Sequence, residues 1–335
     1  MRKLGSRFFL SFLVPGLFVL IFIGADFYRF LTVGGTAGEQ VFKIEQGQSL
    51  QVIASNLEKK GIILSAGKFR LLAYLLGRER QMQAGEFLLP SGALPAQLLR
   101  ILAKGKPLQH SLTIPEGLSW WQTGELLEQA GYCSLASFTE TVHDTSFLLR
   151  HGIKGLNAEG FLYPSTYFFV REEKGNARKI VARLLRTFWD QTGLDPAQDW
   201  QEIFNWVILA SLVEKETSIP DERARIAGVF TNRLRLKMRL QCDPTVIYGL
   251  GPDFNGNLTR ANLRDGENSF NTYAHSGLPP TPICSFGRAA LDAARQPEQH
   301  NLLYFVAQGD GRHVFSSNLS EHNRAVRRYL RRFGH

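Results

Sequence analysis

Two long apolar runs stand out along this chain, with shorter patterns of helical or strand period between and after them. The first run, residues 8–25, carries no charge and reaches the lower range of lengths for a bilayer span. The second, residues 204–213, is built of good helix formers and closes on Glu214-Lys215-Glu216. Too short to cross a bilayer, it predicts a helix buried in a domain core, its charged end placed where core meets surface.

Residues 41–44 read as a strand, 45–49 as a turn ending in a helix N-cap, and 50–60 as an amphipathic helix stopped by Gly61. The pattern returns over 111–131. There Gly117, Leu127, Glu128 and Gly131 align with Gly47, Leu57, Glu58 and Gly61. A strand–turn–helix unit is therefore used twice, which falls short of a solenoid. Helices are expected over 68–76, 94–104, 177–191 and 221–237, and a strand over 85–90; residues 238–245 break the helix before them. An aromatic block spans 159–169. Residues 268–285, rich in Gly, Pro and Asn, predict a long surface or functional loop. The apolar run 302–307 predicts a buried strand, paired with 313–315 across 309–312 as a hairpin. The last helix, 319–332, carries Arg324, Arg327, Arg328, Arg331 and Arg332. These read as a solvated face, with contact to anionic lipid as the alternative.

At 335 residues the chain is long enough for about two domains. Its 44% hydrophobic and 21% charged residues describe a folded protein. A net charge of +9 suits a polyanionic surface, nucleic acid or phospholipid, but specifies neither. Arg2, Lys3 and Arg7 precede the first apolar run, so the positive-inside rule keeps residues 1–7 cytoplasmic and exports the rest. The rival reading is a cleaved signal peptide, but Ile23 and Ala25 make a poor cleavage site. An uncleaved anchor over 8–28 with a tether over 29–40 is preferred. Cys133, Cys242 and Cys284 have no metal-ligand spacing; three unpaired structural cysteines are preferred over one bridge with a leftover thiol.

The chain has no Walker A loop, no G-x-G-x-x-G opening a helix after a strand, no H-E-x-x-H and no G-x-S-x-G elbow, and its eight histidines are scattered. Carboxylate chemistry is left, and glycoside cleavage is the reaction that most often rests on carboxylates alone. Glu214 and Glu216 point about 200° apart on a helix and cannot act as a facing pair. Glu216 lies below Leu209, Leu212 and Val213, whereas Glu214 lies below Val207, Ala210 and Ser211. Desolvation should act more on Glu216, which makes it the better general acid.

From Ala210-Ser211-Leu212-Val213-Glu214-Lys215-Glu216-Thr217 onward the chain resembles the endolytic murein transglycosylases of the YceG-like family. The likeness runs through Glu222-Arg223, Thr231-Asn232-Arg233-Leu234, Leu240-Gln241-Cys242-Asp243-Pro244-Thr245, Asn271-Thr272-Tyr273, Gly277-Leu278-Pro279-Pro280, Tyr304-Phe305-Val306-Ala307 and Ser320-Glu321-His322-Asn323. It covers essentially everything beyond the tether. The resemblance implies an α+β protein: an N-terminal transmembrane helix, a small LysM-like module over 41–107 and an α+β catalytic domain over 108–335. Such a protein sits in the inner membrane with its catalytic part periplasmic. Its partners would be peptidoglycan glycan strands and peptidoglycan synthases, with no nucleic acid, cofactor or metal.

By the same resemblance Glu216 is the catalytic acid of a non-hydrolytic cut at the MurNAc–GlcNAc β-1,4 bond. It protonates the leaving oxygen and then takes the proton of the MurNAc C6 hydroxyl, which closes a 1,6-anhydro ring. Candidates for lining the groove are Asn232, Gln241, Asp243, Thr245, Tyr248, Asn271 and Tyr273. Departures lie nearby: Ser165 stands where the family usually has Asp, Cys242 where it has Ser or Thr, and Cys284 and Phe286 alter the block after Pro280. Two alternatives stay open. One is a muramidase-type hydrolase using Asp243 or Glu222 to activate water; the other is a non-catalytic wall-binding anchor of a synthesis complex.

Overall fold

The computed structural model describes the backbone of residues 4–170 and 175–333 and the side chains of 17–170 and 175–332. Three two-stranded sheets and a larger number of helices make an α+β arrangement. The chain divides into two compact units, Met1–His110 with Phe168–Glu172 and Ser111–Tyr167 with Glu173–His335.

The first unit begins with helix α1 (Leu4–Thr32), followed by β1 (Gln40–Ile44), α2 (Leu50–Lys59), α3 (Ala66–Leu75), β2 (Gly85–Leu89) and α4 (Pro95–Lys104). β1 and β2 pair antiparallel, from Gln40 opposite Leu89 to Ile44 opposite Gly85. Phe42 and Ile44 point inward while Val41 and Lys43 point out. The inward set meets Ile53, Leu57, Phe69, Phe87 and Leu98 in one core, and Phe30 near the end of α1 joins it. Earlier on α1, residues 17–23 are exposed and apolar. No helix among the described residues is long and apolar enough to cross a membrane. The expected cytoplasmic stretch 1–7 and residues 8–16 of the expected anchor fall outside the described side chains.

Beyond α4 the chain forms β3 (Gln109–Ile114), α5 (Trp120–Gln129), α6 (Leu135–Val142), α7 (Thr145–Arg150), β4 (Ser165–Val170) and α8 (Ala177–Thr192), all in the second unit except Gln109, His110 and residues 168–170. Next come α9 (Trp200–Glu216), a 3-10 turn (Pro220–Glu222), α10 (Arg223–Arg235), α11 (Asp243–Leu250) and α12 (Arg260–Arg264). α13 (Arg288–Arg295), β5 (Tyr304–Ala307), β6 (His313–Ser316) and α14 (Leu319–Phe333) close the chain. Helix α9 lies in the core of the second unit. Eight of its side chains are buried, and α10, α11 and α13 pack against it.

Three local expectations change. The helix expected from 221 opens as a 3-10 turn, where Glu222 turns its carboxyl to His313. Pro244, read as a breaker, sits in the first turn of α11, where its missing N–H has no helical partner to lose. The strand expected to be buried is only half-buried, because β5 has a single strand partner, β6. The hairpin itself forms as expected, with Phe305 opposite Phe315. Cys133, Cys242 and Cys284 are all free and buried.

Candidate active site

The direction of every group at the end of α9 follows from its buried face. The helix stops at Thr217, whose backbone swings to φ −151°, ψ 137°. Successive helical residues point about 100° apart, so the three charged residues before that stop diverge. Glu214 accepts the Gly287 N–H at 3.2 Å, at the start of α13. Burial raises its pKa, the Gly287 bond works against that, and neighbouring Glu116 adds to it. Lys215 Nζ donates to the Gly117 carbonyl at 3.2 Å. Glu216 lines a cavity of about 390 Å³ together with Gln241, Asp243, Tyr273, Arg233 and Tyr304.

Burial raises the pKa of Glu216. The Cys242 thiol and His313 oppose the rise, and Asp243 adds to it. A half-buried carboxyl so placed holds a proton closer to neutrality than a surface glutamate does, which is what a general acid requires. The turn from α10 to α11 supplies the facing wall. Lys237 and Gln241 both adopt left-handed backbone, φ 55° and 54°, which is uncommon for residues with a Cβ. The Gln241 N–H donates to the Thr272 carbonyl at 3.1 Å and the Cys242 N–H to Thr272 Oγ1 at 2.9 Å. This clamp holds the segment in place, and Asp243 then accepts the Tyr273 hydroxyl at 2.6 Å.

Of the seven groove candidates, Gln241, Asp243 and Tyr273 share the cavity with Glu216. The other four are engaged elsewhere. Asn232 Nδ2 donates to the His300 and Leu302 carbonyls at 2.8 and 3.1 Å. Thr245 is fully buried and its hydroxyl donates to the Cys242 carbonyl at 2.7 Å. Asn271, also fully buried, donates to the Asn262, Leu263 and Asp265 carbonyls and so closes the end of α12. Tyr248 packs against Trp121 and Phe270 with tilted rings, each centroid 4.8 Å away. Glu222 is buried, with one oxygen accepting the His313 N–H at 3.0 Å and the other 2.8 Å from His313 Nδ1.

Three residues outside the sequence-derived candidates matter here. Arg233 is 7% exposed and lines the cavity, and His322 lines the same wall from the first turn of α14. Both lie inside blocks that carried the family resemblance, so their presence was visible although their placement was not. Glu159 is 1% exposed, accepts the Trp120 N–H at 3.0 Å, and has its pKa raised by burial to about 7. It opens the aromatic block that also holds Ser165, where the chain departs from the family, and that position was its signal in the sequence. Among the described residues, no group of three or more His, Cys, Asp or Glu side chains is placed to hold a metal ion.

The sequence model of the YceG-like family matches residues 42–328. An endolytic murein transglycosylase of Bacillus subtilis (strain 168) is 29% identical over 306 residues, spanning 86% of this chain and 84% of that protein. One from Streptococcus pneumoniae serotype 2 is 26% identical over 362 residues, covering 97% of this chain and 62% of its own length. This chain therefore spans less than two thirds of the streptococcal relative. A yceG-like protein of Listeria monocytogenes, solved by crystallography, superposes with a TM-score of 0.57 at 28% identity, over 85% of this chain and 98% of that one. With the match running from β1 to α14, the chain belongs to the YceG-like family.

Proposed function

We propose that this chain is an endolytic lytic transglycosylase of peptidoglycan, with Glu216 as the single acid and base. The observation that carries this reading is the position of Glu216: a half-buried carboxyl at the end of a core helix, opening on a cavity of about 390 Å³. Relatives named endolytic murein transglycosylases support it. Protonated Glu216 gives its proton to the glycosidic oxygen as the C1–O bond breaks and an oxocarbenium-like centre develops on MurNAc. The resulting carboxylate takes the proton of the MurNAc C6 hydroxyl, whose oxygen bonds to C1. The products are a GlcNAc 4-hydroxyl and a 1,6-anhydro-MurNAc end, and Glu216 regains its proton. Tyr273 and Gln241 line the path of the strand.

Asp243 favours a second reading, because it lines the same cavity and could activate water for hydrolysis. The Tyr273 hydroxyl bonded to one of its oxygens argues for a positioning role instead. Product ends decide between them. Digestion of intact murein by the full-length protein should give internal fragments ending in anhydro-MurNAc, one water lighter than hydrolytic ends and inert to borohydride. Reducible ends as the main product would make the enzyme a hydrolase. Glu216→Gln should lower the rate by roughly 10²–10⁴-fold while strand binding and the melting temperature stay unchanged. A collapsed melting transition would make Glu216 structural.

The location belongs to the same proposal: α1 anchors the protein in the inner membrane, and the catalytic part works in the periplasm on strands made by peptidoglycan synthases. The exposed apolar residues 17–23 and the basic residues before them support the anchor. The unit built on β1 and α2 acts as a LysM-like strand-binding module. A mature N-terminus found after Ala25 would remove the anchor from this reading.

A further inference from the structure

The cavity that holds Glu216 has a second wall of opposite character. Arg233 is buried, and its guanidinium is fixed by main-chain carbonyls: Nε donates to Leu303 at 2.6 Å, and Nη1 to Leu240 at 2.9 Å and Arg239 at 3.1 Å. Nη1 also reaches Gln241 Oε1 at 3.2 Å. The guanidinium carbon lies 4.9 Å from the centre of the Tyr304 ring. No carboxylate is among these contacts. Nη2 has no partner among the described residues, yet it is not among the side-chain atoms sealed away without one.

A buried cation held only by neutral oxygens is costly unless an anion completes it. Burial pulls the Arg233 pKa down, with Tyr304 and Tyr273 offsetting this in part. His322 completes the wall. Its ring stacks on Tyr304 at 5.1 Å, and its Nδ1 is buried with no partner among the described residues. Burial and the Arg233 charge lower its pKa, which favours the neutral imidazole beside that cation. Glu321, on the same turn of α14, is turned to the Ser317 N–H and hydroxyl.

We propose that the Arg233–Tyr304–His322 wall is a carboxylate-binding subsite, which seats a carboxylate of the glycan strand while Glu216 works on the sugar bond. The proposal rests on the peptidoglycan reading above. Glycan strands offer such carboxylates from two sources, the lactyl group of peptide-free MurNAc and the stem peptide. With Nε and Nη1 held by the protein, Nη2 of Arg233 is left to donate, and its charge suits a carboxylate better than a neutral amide, since an amide oxygen accepts without supplying charge.

The test uses the full-length protein in detergent and two substrate pairs. One pair is peptide-free strands with lactyl carboxylates either free or converted to N-methylamides; the other is peptide-bearing strands treated the same way. Blocking the recognised carboxylate should raise KM and lower kcat/KM at least tenfold, with kcat little changed. A response in the first pair alone identifies the lactyl group, and a response in the second alone identifies the stem peptide. Arg233→Gln should cut both members of the responsive pair with equal, lowered efficiency. Should that variant not fold, the substrate pairs decide alone. Equal KM for free and blocked strands in both pairs overturns the subsite while leaving the transglycosylase reading intact. If no strand is cut, that reading fails, and binding of the same pairs to Glu216→Gln decides the subsite: at least tenfold tighter binding of free carboxylates supports it, and equal binding overturns it.

Discussion

The two strand–turn–helix copies begin alike and are put to different use. In both, a glycine at φ 77° or 80° (Gly47, Gly117) makes the turn, and a serine (Ser49, Ser119) caps the helix. A second glycine, Gly61 at φ 68° or Gly131 at φ 72°, then follows the helix. In the first copy the turn is largely exposed, and its Gly47 has open space around it. In the second copy the turn is fastened on several sides. The Gly117 N–H donates to the Ser285 carbonyl at 2.8 Å, the Ser285 N–H to the Leu118 carbonyl at 2.7 Å, and the Gly117 carbonyl accepts Lys215. Glu159 adds an acceptor for the first N–H of α5. The same local code thus gives a free turn in one place and, in the other, a clamp on the helix that carries Glu216.

That contrast can be broken most sharply at Glu159, which has no counterpart in the first copy. Glu159→Leu strands the Trp120 and Gly160 N–H groups in a buried place and should cost about 2–5 kcal/mol of stability. Denaturant unfolding measures it, and a loss under about 1 kcal/mol would mean the clamp does not depend on this carboxyl.

A pH series isolates the charge. With its pKa raised from 4.5 to about 7, folded Glu159 keeps a proton that the unfolded chain has released between those values. Its contribution therefore falls as pH rises through that window, and stability falls with it. Glu159→Gln should flatten this slope. Urea midpoints for both proteins at several pH values read it out, and parallel slopes would assign the pH dependence elsewhere.

The smallest effect separates the two caps. Ser119→Ala removes a buried hydroxyl and half of a reciprocal pair with Gln122, at about 1–2 kcal/mol; Ser49→Ala removes an exposed cap, at about 0.5–1 kcal/mol. Equal losses in thermal unfolding would show that the two turns are alike energetically as well as locally.

What can be read from the sequence is whatever depends on neighbours in the chain. The apolar run before Glu214 announces α9, and helical spacing alone separates Glu214 from Glu216. Paired glycines mark the repeated turn because positive φ leaves few other choices. Residues whose roles depend on distant segments are opaque. Asn271 and Thr245 look like groove residues, yet short polar side chains are equally suited to closing backbone turns, and both do so here. Arg233 and His322 are far apart in sequence, and only folding sets them on one wall. Ser165, where the family usually has Asp, sits at the start of β4 and does not line the Glu216 cavity.

The divergence of Glu214, Lys215 and Glu216 also limits how this chain can change its length. Removing one residue from α9 would turn everything after it by about 100° relative to everything before, so all three side chains would lose their targets together. Removing four residues, the nearest whole number to a turn, would leave their phase about 40° off and shift them by about 6 Å along the axis, away from Gly117 and Gly287. The helix behaves like a key with three teeth cut at one end: its bite tolerates substitution along the shaft far better than any change in the count of residues. A deletion scan through α9 should find no tolerated length, even where single alanine replacements on its exposed side are accepted.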